Sequence, residues 1–475
     1  MAYRYGNREQ MTLFPQSIEE YVESDAPVRA YDAFVESLDF EELGIEVDPD
    51  KVGNPQYDPK SMLKLLIYGY SYGTRGSRKL ERETHYNLSF IWLMGGLKPD
   101  HKTISEFRRK NKGTLKKVLR QCARLCIKLG IIEGNTLFVD STKIRANASI
   151  KNSWTKEKCE RYLRGIDKHI EAILSECEAI DEREEAEDSL VRMEQELRDR
   201  EVLKSRVEDI VKELKEEEKR STNTVDSECT RINSIQGTHA GYSVETVVDE
   251  RHGLIVSTDV VGENNDLGQF ANQINQANEV LGSKCEVACA DSGYANTEEL
   301  EKIDKQGIKV VVPSQRQASQ REAKAFDKEN FRYDSKRDCY ICPQGNELTY
   351  RYTNNKEKSR VYKTSGGSIC RGCVQFGVCT KSQEGRMITR LINERLRQKI
   401  ERQYSQPECQ AIYKLRGQRV EHPFGHIKRN LKVDSFVLRG LDGVRAEMSI
   451  LASCFNIARM ISIIGVPALV KMVMS

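Results

Sequence analysis

Neither sign of charge dominates this chain: 75 Lys and Arg stand against 72 Asp and Glu, a net charge of +3. That balance by itself argues neither for nor against a nucleic-acid partner. The distribution says more, because acid is concentrated in one central segment and the remainder is correspondingly basic. Apolar content is modest at 38%, and charged residues reach 31%. Such a composition fits a soluble protein with a polar subregion. No apolar h-region follows the opening Met-Ala-Tyr-Arg-Tyr-Gly-Asn-Arg, so no secretory signal is expected. No long apolar run goes uninterrupted. The stretch from Met448 to Ser475 is broken by Asn456, Arg459, Pro467 and Lys471, and reads as a buried helix and tail rather than a membrane span. Without an export signal, the 14 cysteines are expected as thiols or metal ligands rather than disulfides. A cytoplasmic protein with no membrane partner is the expectation.

What is present divides the chain into modules, as 475 residues are many for one domain. Residues 1–132 read as an all-α N-terminal domain that binds DNA. Asp58-Pro-Lys-Ser-Met-Leu opens a helix with Pro in its first turn, and Lys79 to Asn87 is a further short one. Asp100-His-Lys-Thr103-Ile-Ser105 caps a strongly basic helix. Its Arg108, Arg109, Lys110 and Lys112 fit contacts to DNA phosphates, with a merely solvated face as the alternative. Residues 133–153 begin an α/β core. Residues 154–221 form an inserted helical hairpin of coiled-coil type. Its apolar positions Leu163, Ile166, Ile170, Ile173, Cys177 and Ile180 resume, after a charged break, at Leu203, Val207, Ile210 and Leu214. Residues 222–320 continue the core through a β-hairpin turning at Glu250-Arg-His-Gly253, a helix over 266–281, a strand before Asp291 and another at Ile308. Residues 321–380 are Cys-rich. Residues 381–475 are expected to be helical, including 385–402 and 411–430.

Three carboxylates stand out. Asp140 ends the apolar run Thr136-Leu-Phe-Val-Asp140, and Asp291 ends Cys285-Glu-Val-Ala-Cys-Ala-Asp291. Both are read as strand-tip positions. Glu421 lies in Arg416-Gly-Gln-Arg-Val-Glu421-His-Pro-Phe-Gly-His-Ile-Lys428. Positions 421 and 428 are two helical turns apart and share a face, while Arg416 sits about 140° round from Glu421. One Asp from each of two strands and a Glu from a later helix is a pattern that holds divalent metals for phosphodiester chemistry. Any one of these aspartates alone could simply cap a turn, as could Asp259 or Asp266. Lys143 near Asp140 could contact DNA or satisfy the turn. Tyr294 could pack the junction after Asp291 or stack on an unpaired base. His422 and His426 stand four apart, and a DNA-facing role is the more economical reading of them.

These motifs together, Asp140-Ser-Thr-Lys-Ile-Arg-Ala-Asn, Ala290-Asp291-Ser-Gly-Tyr and the set Tyr413, Arg416, Glu421 and Lys428, resemble the DDE transposases of bacterial insertion sequences. They resemble the branch with a Tyr-Arg-Glu-Lys signature. Tyr57-Asp-Pro-Lys-Ser-Met-Leu, Arg78-Lys-Leu-Glu and Pro99-Asp-His-Lys-Thr-Ile-Ser-Glu-Phe are similar to the helical module preceding the core in that group. The resemblance implies a ribonuclease-H-like mixed sheet and Mg²⁺ (or Mn²⁺) held by Asp140, Asp291 and Glu421. It also implies cleavage at element ends and strand transfer by the freed 3′-OH. Arg416 and Lys428 would contact phosphate, and Tyr413 would assist. The signature has three residues between Arg and Glu. Here four separate Arg416 from Glu421, so Arg419 is the alternative, although it would point away in a regular helix.

In the Cys-rich segment, Cys342, Cys370, Cys373 and Cys379 supply four thiolates for tetrahedral Zn²⁺ in a zinc-ribbon-like insertion. Cys339, at CxxC spacing before Cys342, is an alternative ligand, and free thiols in a β-rich insertion are the other reading. A redox CxxC is disfavoured, because no thioredoxin-like βαβ surrounds it. The expectation carried forward is a DDE transposase acting as a homodimer on terminal inverted repeats and target DNA. A non-catalytic DNA-binding regulator and a stand-alone nuclease are its rivals.

Overall fold

The structure is a computed structural model and describes residues 17–45, 56–181, 187–216, 221–234, 237–262, 267–319 and 324–475, without the side chains of 174–181, 187–194 and 234. The expectations for Cys177, Ile180 and Asp266 lie outside these.

The central sheet is built on β1 (Thr136–Arg145). The short strands β2 (Ser153–Thr155) and β3 (Ser221–Asn223) pair with each other at the base of the helical hairpin. β4 (Thr230–Ser234), β5 (Gly237–Asp249) and β6 (Ile255–Val261) follow, then β7 (Val287–Ala290) and β8 (Lys309–Val311). β5 is long enough to hold β4 along its first residues and β6 along its later ones. From β6 the order runs β6-β5-β1-β7-β8. The first two pairings are antiparallel and the last two parallel.

Asp140 is not at the tip of its strand, contrary to the reading from sequence. β1 continues to Arg145 because β5 pairs with it throughout, from Leu137 opposite Asp249 to Arg145 opposite Gly241. The apolar run stops at Val139 for a different reason. The parallel neighbour β7 ends at Ala290, opposite Val139, so one flank of β1 becomes open at Asp140, until Ser435 bridges to Arg145 at the strand's end.

The N-terminal helices, among them Pro59–Ser71, Ser77–Tyr86, His101–Lys110 and Val118–Lys128, share one hydrophobic core with the sheet and with the C-terminal helix Leu441–Ile464. Asp100 caps its helix as expected, and Asp58 caps the helix that Pro59 opens, each carboxylate accepting from first-turn backbone N–H groups. Leu441–Ile464 is long and apolar enough to cross a membrane by length and composition, but 67% of its most apolar window is buried within the molecule. Fully buried Asn456 on it donates to the Ile255 carbonyl and accepts from the Ile255 N–H, which ties the helix to β6. The hairpin arm consists of Lys156–Asp181 and Glu187–Glu216. Cys159, Ile166, Val207 and Leu214 form its own small core, in the expected register.

The Cys-rich insertion is a five-stranded antiparallel sheet. Its strands are β9 (Arg332–Asp334), β10 (Cys339–Ile341), β11 (Glu347–Asn354), β12 (Ser359–Thr364) and β13 (Met387–Leu391), in the order β13-β12-β11-β10-β9. Phe331, Tyr340, Leu348, Tyr362 and Ile388 fill its core. Residues 387–391 were expected within a helix over 385–402. They form a strand because β12 offers them a partner from Ser359 to Lys363, and the helix begins only at Glu394. The insertion therefore runs past 380 to the end of β13.

Candidate functional site

The ends of two parallel strands bring the two aspartates together. Val139 is in register with Ala290, so Asp140 and Asp291 follow side by side. Asp291 caps the turn Ser292–Tyr294, its Oδ1 accepting from the Gly293 N–H at 2.7 Å. Asp140 Oδ1 accepts from the Ser141 N–H at 2.8 Å. Its Oδ2 accepts from Arg416 Nη1, also at 2.8 Å. Burial pushes the Asp140 carboxyl up to about 6; the Arg416 guanidinium opposes this rise and the Asp291 charge adds to it.

Arg416 comes from the helix Pro407–Gly425, which crosses β1. The helix continues through a wide turn, His426–Asn430, after Pro423. Lys428 in that turn donates to Thr142 Oγ1 at 2.5 Å. Asp140 and Thr142 are two apart on one strand, so they point to the same face. The two cations thus grip the carboxylate side of β1. Arg416 lies over the Tyr413 ring, 5.3 Å from its centre. Arg419 instead packs beside Gly253 in the β5–β6 turn. Of the two arginines, Arg416 is the one on Asp140.

Glu421 is on the same helix but faces solvent. Among the described residues no three His, Cys, Asp or Glu side chains converge closely enough to hold a metal ion as they stand. The structure therefore brings Asp140 and Asp291 together and leaves Glu421 apart from them.

The opposite face of β1 carries a second polar group. Lys143 donates to Ser243 at 2.9 Å, and Ser243 donates to Glu245 at 3.1 Å. Tyr294, three residues after Asp291, donates to the other Glu245 oxygen at 2.5 Å. Tyr294 and Glu245 are both fully buried, so Tyr294 packs the junction and does not offer its ring to a base. Sequence reading missed Glu245. The available signal was an ionisable residue in the middle of the otherwise uncharged strand-like run Tyr242-Ser-Val-Glu-Thr-Val-Val. His422 and His426 both set their rings edge-on to Phe455, and burial lowers the affinity of each for a proton.

In the insertion, Cys342, Cys370, Cys373 and Cys379 line one cavity of about 30 Å³. Backbone N–H groups point at three of the sulfurs: Asn346 at Cys342, Arg386 at Cys370 and Gln375 at Cys373, at 3.3, 3.3 and 3.5 Å. Cys339 is buried in β10 and does not line this cavity.

The N-terminal candidates are arranged differently from the charge pattern. Arg108 is 3% exposed and donates to Tyr70 Oη and to the Arg75 carbonyl. It braces the interior and cannot reach a phosphate without unpacking, which corrects its assignment as a DNA contact. Arg109 and Lys110 are exposed but both pair with Glu106. Lys112 is half-buried beside Gly443.

Two family models match the chain. One, described as "Transposase DDE domain", matches residues 341–461, which include the four cysteines, Arg416, Glu421 and Lys428. The other, "Transposase domain (DUF772)", matches residues 16–110. Both descriptions are of transposase domains, and the two matches support a DDE-type transposase. Asp140 and Asp291 lie outside both matched spans. Comparisons with curated proteins and with solved structures found no match.

Proposed function

We propose that this chain is a DDE transposase that cleaves DNA at the ends of an insertion sequence and joins the freed 3′-OH ends to target DNA. One observation carries the reading: Asp140 and Asp291 lie side by side at the open flank of β1, with Arg416 of the Glu421 helix paired to Asp140 and Lys428, in the turn after that helix, on neighbouring Thr142. The sheet, with two antiparallel pairings on one side of β1 and two parallel ones on the other, supports a ribonuclease-H-like core.

The donor set fits Mg²⁺ or Mn²⁺, since Asp140, Asp291 and Glu421 offer only hard carboxylate oxygens. Two such ions, when bound, activate an attacking oxygen and neutralise charge on the leaving one. The chain's own residues prepare that site. Arg416 neutralises Asp140 before loading and is then available to a DNA phosphate, with Lys428 beside it. Glu421 faces solvent, so recruiting it is part of loading. Buried Glu245 anchors Tyr294 and with it the turn that presents Asp291.

The insertion is read as a zinc-ribbon-like module. Four sulfurs line one cavity of about 30 Å³ and three of them are met by N–H groups, a donor set that suits one structural Zn²⁺; as they stand the sulfurs are not drawn together closely enough to hold it, so closing around the ion is part of loading. The reading is completed by a cytoplasmic homodimer acting on the two terminal inverted repeats. Mg²⁺- or Mn²⁺-dependent cleavage of DNA by the wild type and by Asp291→Ala tests it, and equal activity in both removes it. Pre-cleaved 3′-OH ends then separate strand transfer from simple hydrolysis.

A further inference from the structure

We propose that the solvent face of the helix Ser77–Tyr86 is a binding surface for duplex DNA, a surface distinct from the carboxylate site. The inference rests on the transposase reading and names where the N-terminal module holds its DNA. Leu80 and Thr84 are fully buried and define the inner side of this helix. At 100° per residue, the opposite side presents Arg78, Lys79, Arg82, His85 and Tyr86 within an arc of about 120°. All five are exposed, and Tyr86 reaches 81%.

No acid lies on that face. Glu81 and Glu83 sit at its two edges and are engaged sideways, Glu81 with His101 at 2.8 Å and Glu83 with Asn87 at 3.0 Å. Among the described residues the side chains of Arg78, Lys79 and Arg82 have no hydrogen-bond or ion-pair partner. The neighbouring helix His101–Lys110 contrasts with this, as its exposed Arg109 and Lys110 both pair with Glu106, which offsets one of the two charges. An unneutralised cationic stripe with an exposed aromatic at its end suits a partner with regularly spaced negative charge. Duplex DNA carries one charge per ~1.7 Å of its axis. From Arg78 to Tyr86 the stripe is about 12 Å long, comparable to the width of the major groove.

The face is also held rigidly to the candidate active site. Leu80 packs directly on Gly69, where an added Cβ would meet its Cδ2 at 2.2 Å. Arg75, in the turn before the helix, donates to the Ser435 carbonyl and to Glu447 Oε1, both at 2.8 Å. Ser435 lies just beyond the Lys428 turn. Phosphate contacts on this helix would therefore fix the register of DNA entering the carboxylate cleft.

The test is binding of the full chain to a mixed-sequence duplex of about 30 base pairs, without divalent metal, across about 50–200 mM salt. Arg82→Ala should lower the slope of log Kd against log salt by about one, and Arg78→Ala/Lys79→Ala/Arg82→Ala by about three. The triple variant should bind at least about 10-fold more weakly at 100 mM salt with its melting temperature unchanged. Arg124→Ala, which removes an exposed cation paired with Glu42, should leave the slope as it was. A triple variant with the wild-type slope, or an Arg124 effect equal to that of Arg82, overturns the inference. Metal-dependent cleavage lost in Asp291→Ala speaks to the active-site reading separately, because binding here is measured without metal.

Discussion

The two candidate metal centres differ in what already neutralises them. At the strand ends, a guanidinium occupies Asp140, and the third carboxylate stays in solvent. In the insertion, neutral backbone N–H groups point at three of the four sulfurs, and Arg386, which lines the same cavity, donates to the Cys379 carbonyl rather than to a sulfur. On the proposed reading, carboxylates that take up metal for catalysis are served by a counterion that can leave, and thiolates that close around a structural metal by amides that cannot. The comparison teaches that convergence of ligand-type residues is not enough to distinguish a catalytic from a structural site; the partners they keep without metal are informative too.

The largest effect should come from the sulfur side. Replacing Cys373 with Ser should abolish stoichiometric zinc and unfold the insertion, since structural zinc contributes on the order of 10 kcal/mol to such modules. Cys339→Ser should retain full zinc, measured by metal analysis of the purified protein. Equal zinc loss in both variants would break the assignment of the four ligands.

A smaller effect is expected at the carboxylates. Arg416→Gln leaves Asp140 largely buried without its counterion and should cost about 1–3 kcal/mol at neutral pH, read by urea unfolding. The pH dependence has a definite sign. Burial raises the folded Asp140 to about 6, above its ordinary value of about 3.9, so the metal-free fold prefers the protonated form. Metal-free stability should therefore rise as pH falls from about 6 toward about 4, and should be lowest above 6. Metal-dependent cleavage should run the other way and decline as pH falls through about 6. A cleavage rate flat across that window would contradict Asp140 as a ligand.

The smallest effect should come from Glu245→Gln. The amide keeps an acceptor for Tyr294 and should change stability by less than about 1 kcal/mol, whereas Glu245→Ala leaves the buried hydroxyl unpaired and should cost about 1–3 kcal/mol. Equal losses in the two would remove the hydrogen bond from the account of how Asp291 is held.

Much of this was legible in the sequence because it is local. The cap at Asp100, the helix start at Pro59, the heptads of the hairpin arm and the apolar runs before Asp140 and Asp291 all report neighbours a few positions away. The failures are matters of partner. Met387-Ile-Thr-Arg-Leu reads as the start of a helix until β12 is known to lie beside it. The true extent of β1 depends on β5, whose partner residues lie far downstream in the chain, from Asp249 opposite Leu137 to Gly241 opposite Arg145. Arg108 looked exposed because it belongs to a basic run. It is one turn from Ile104, which is fully buried, so the helical period already pointed it inward. Sequence reading gathered Glu421 with the aspartates on pattern alone, and its side chain stands apart from them.

The most direct test of the central claim is cleavage of DNA carrying the element's ends in Mg²⁺ or Mn²⁺ by the wild type, Asp140→Asn, Asp291→Asn and Glu421→Gln. The account predicts that each variant loses at least about 10³-fold in rate, a loss of the size expected when a group acting only in the transition state is removed, while all three keep wild-type binding to the same DNA. Cleavage persisting at the wild-type rate in either aspartate variant would contradict it.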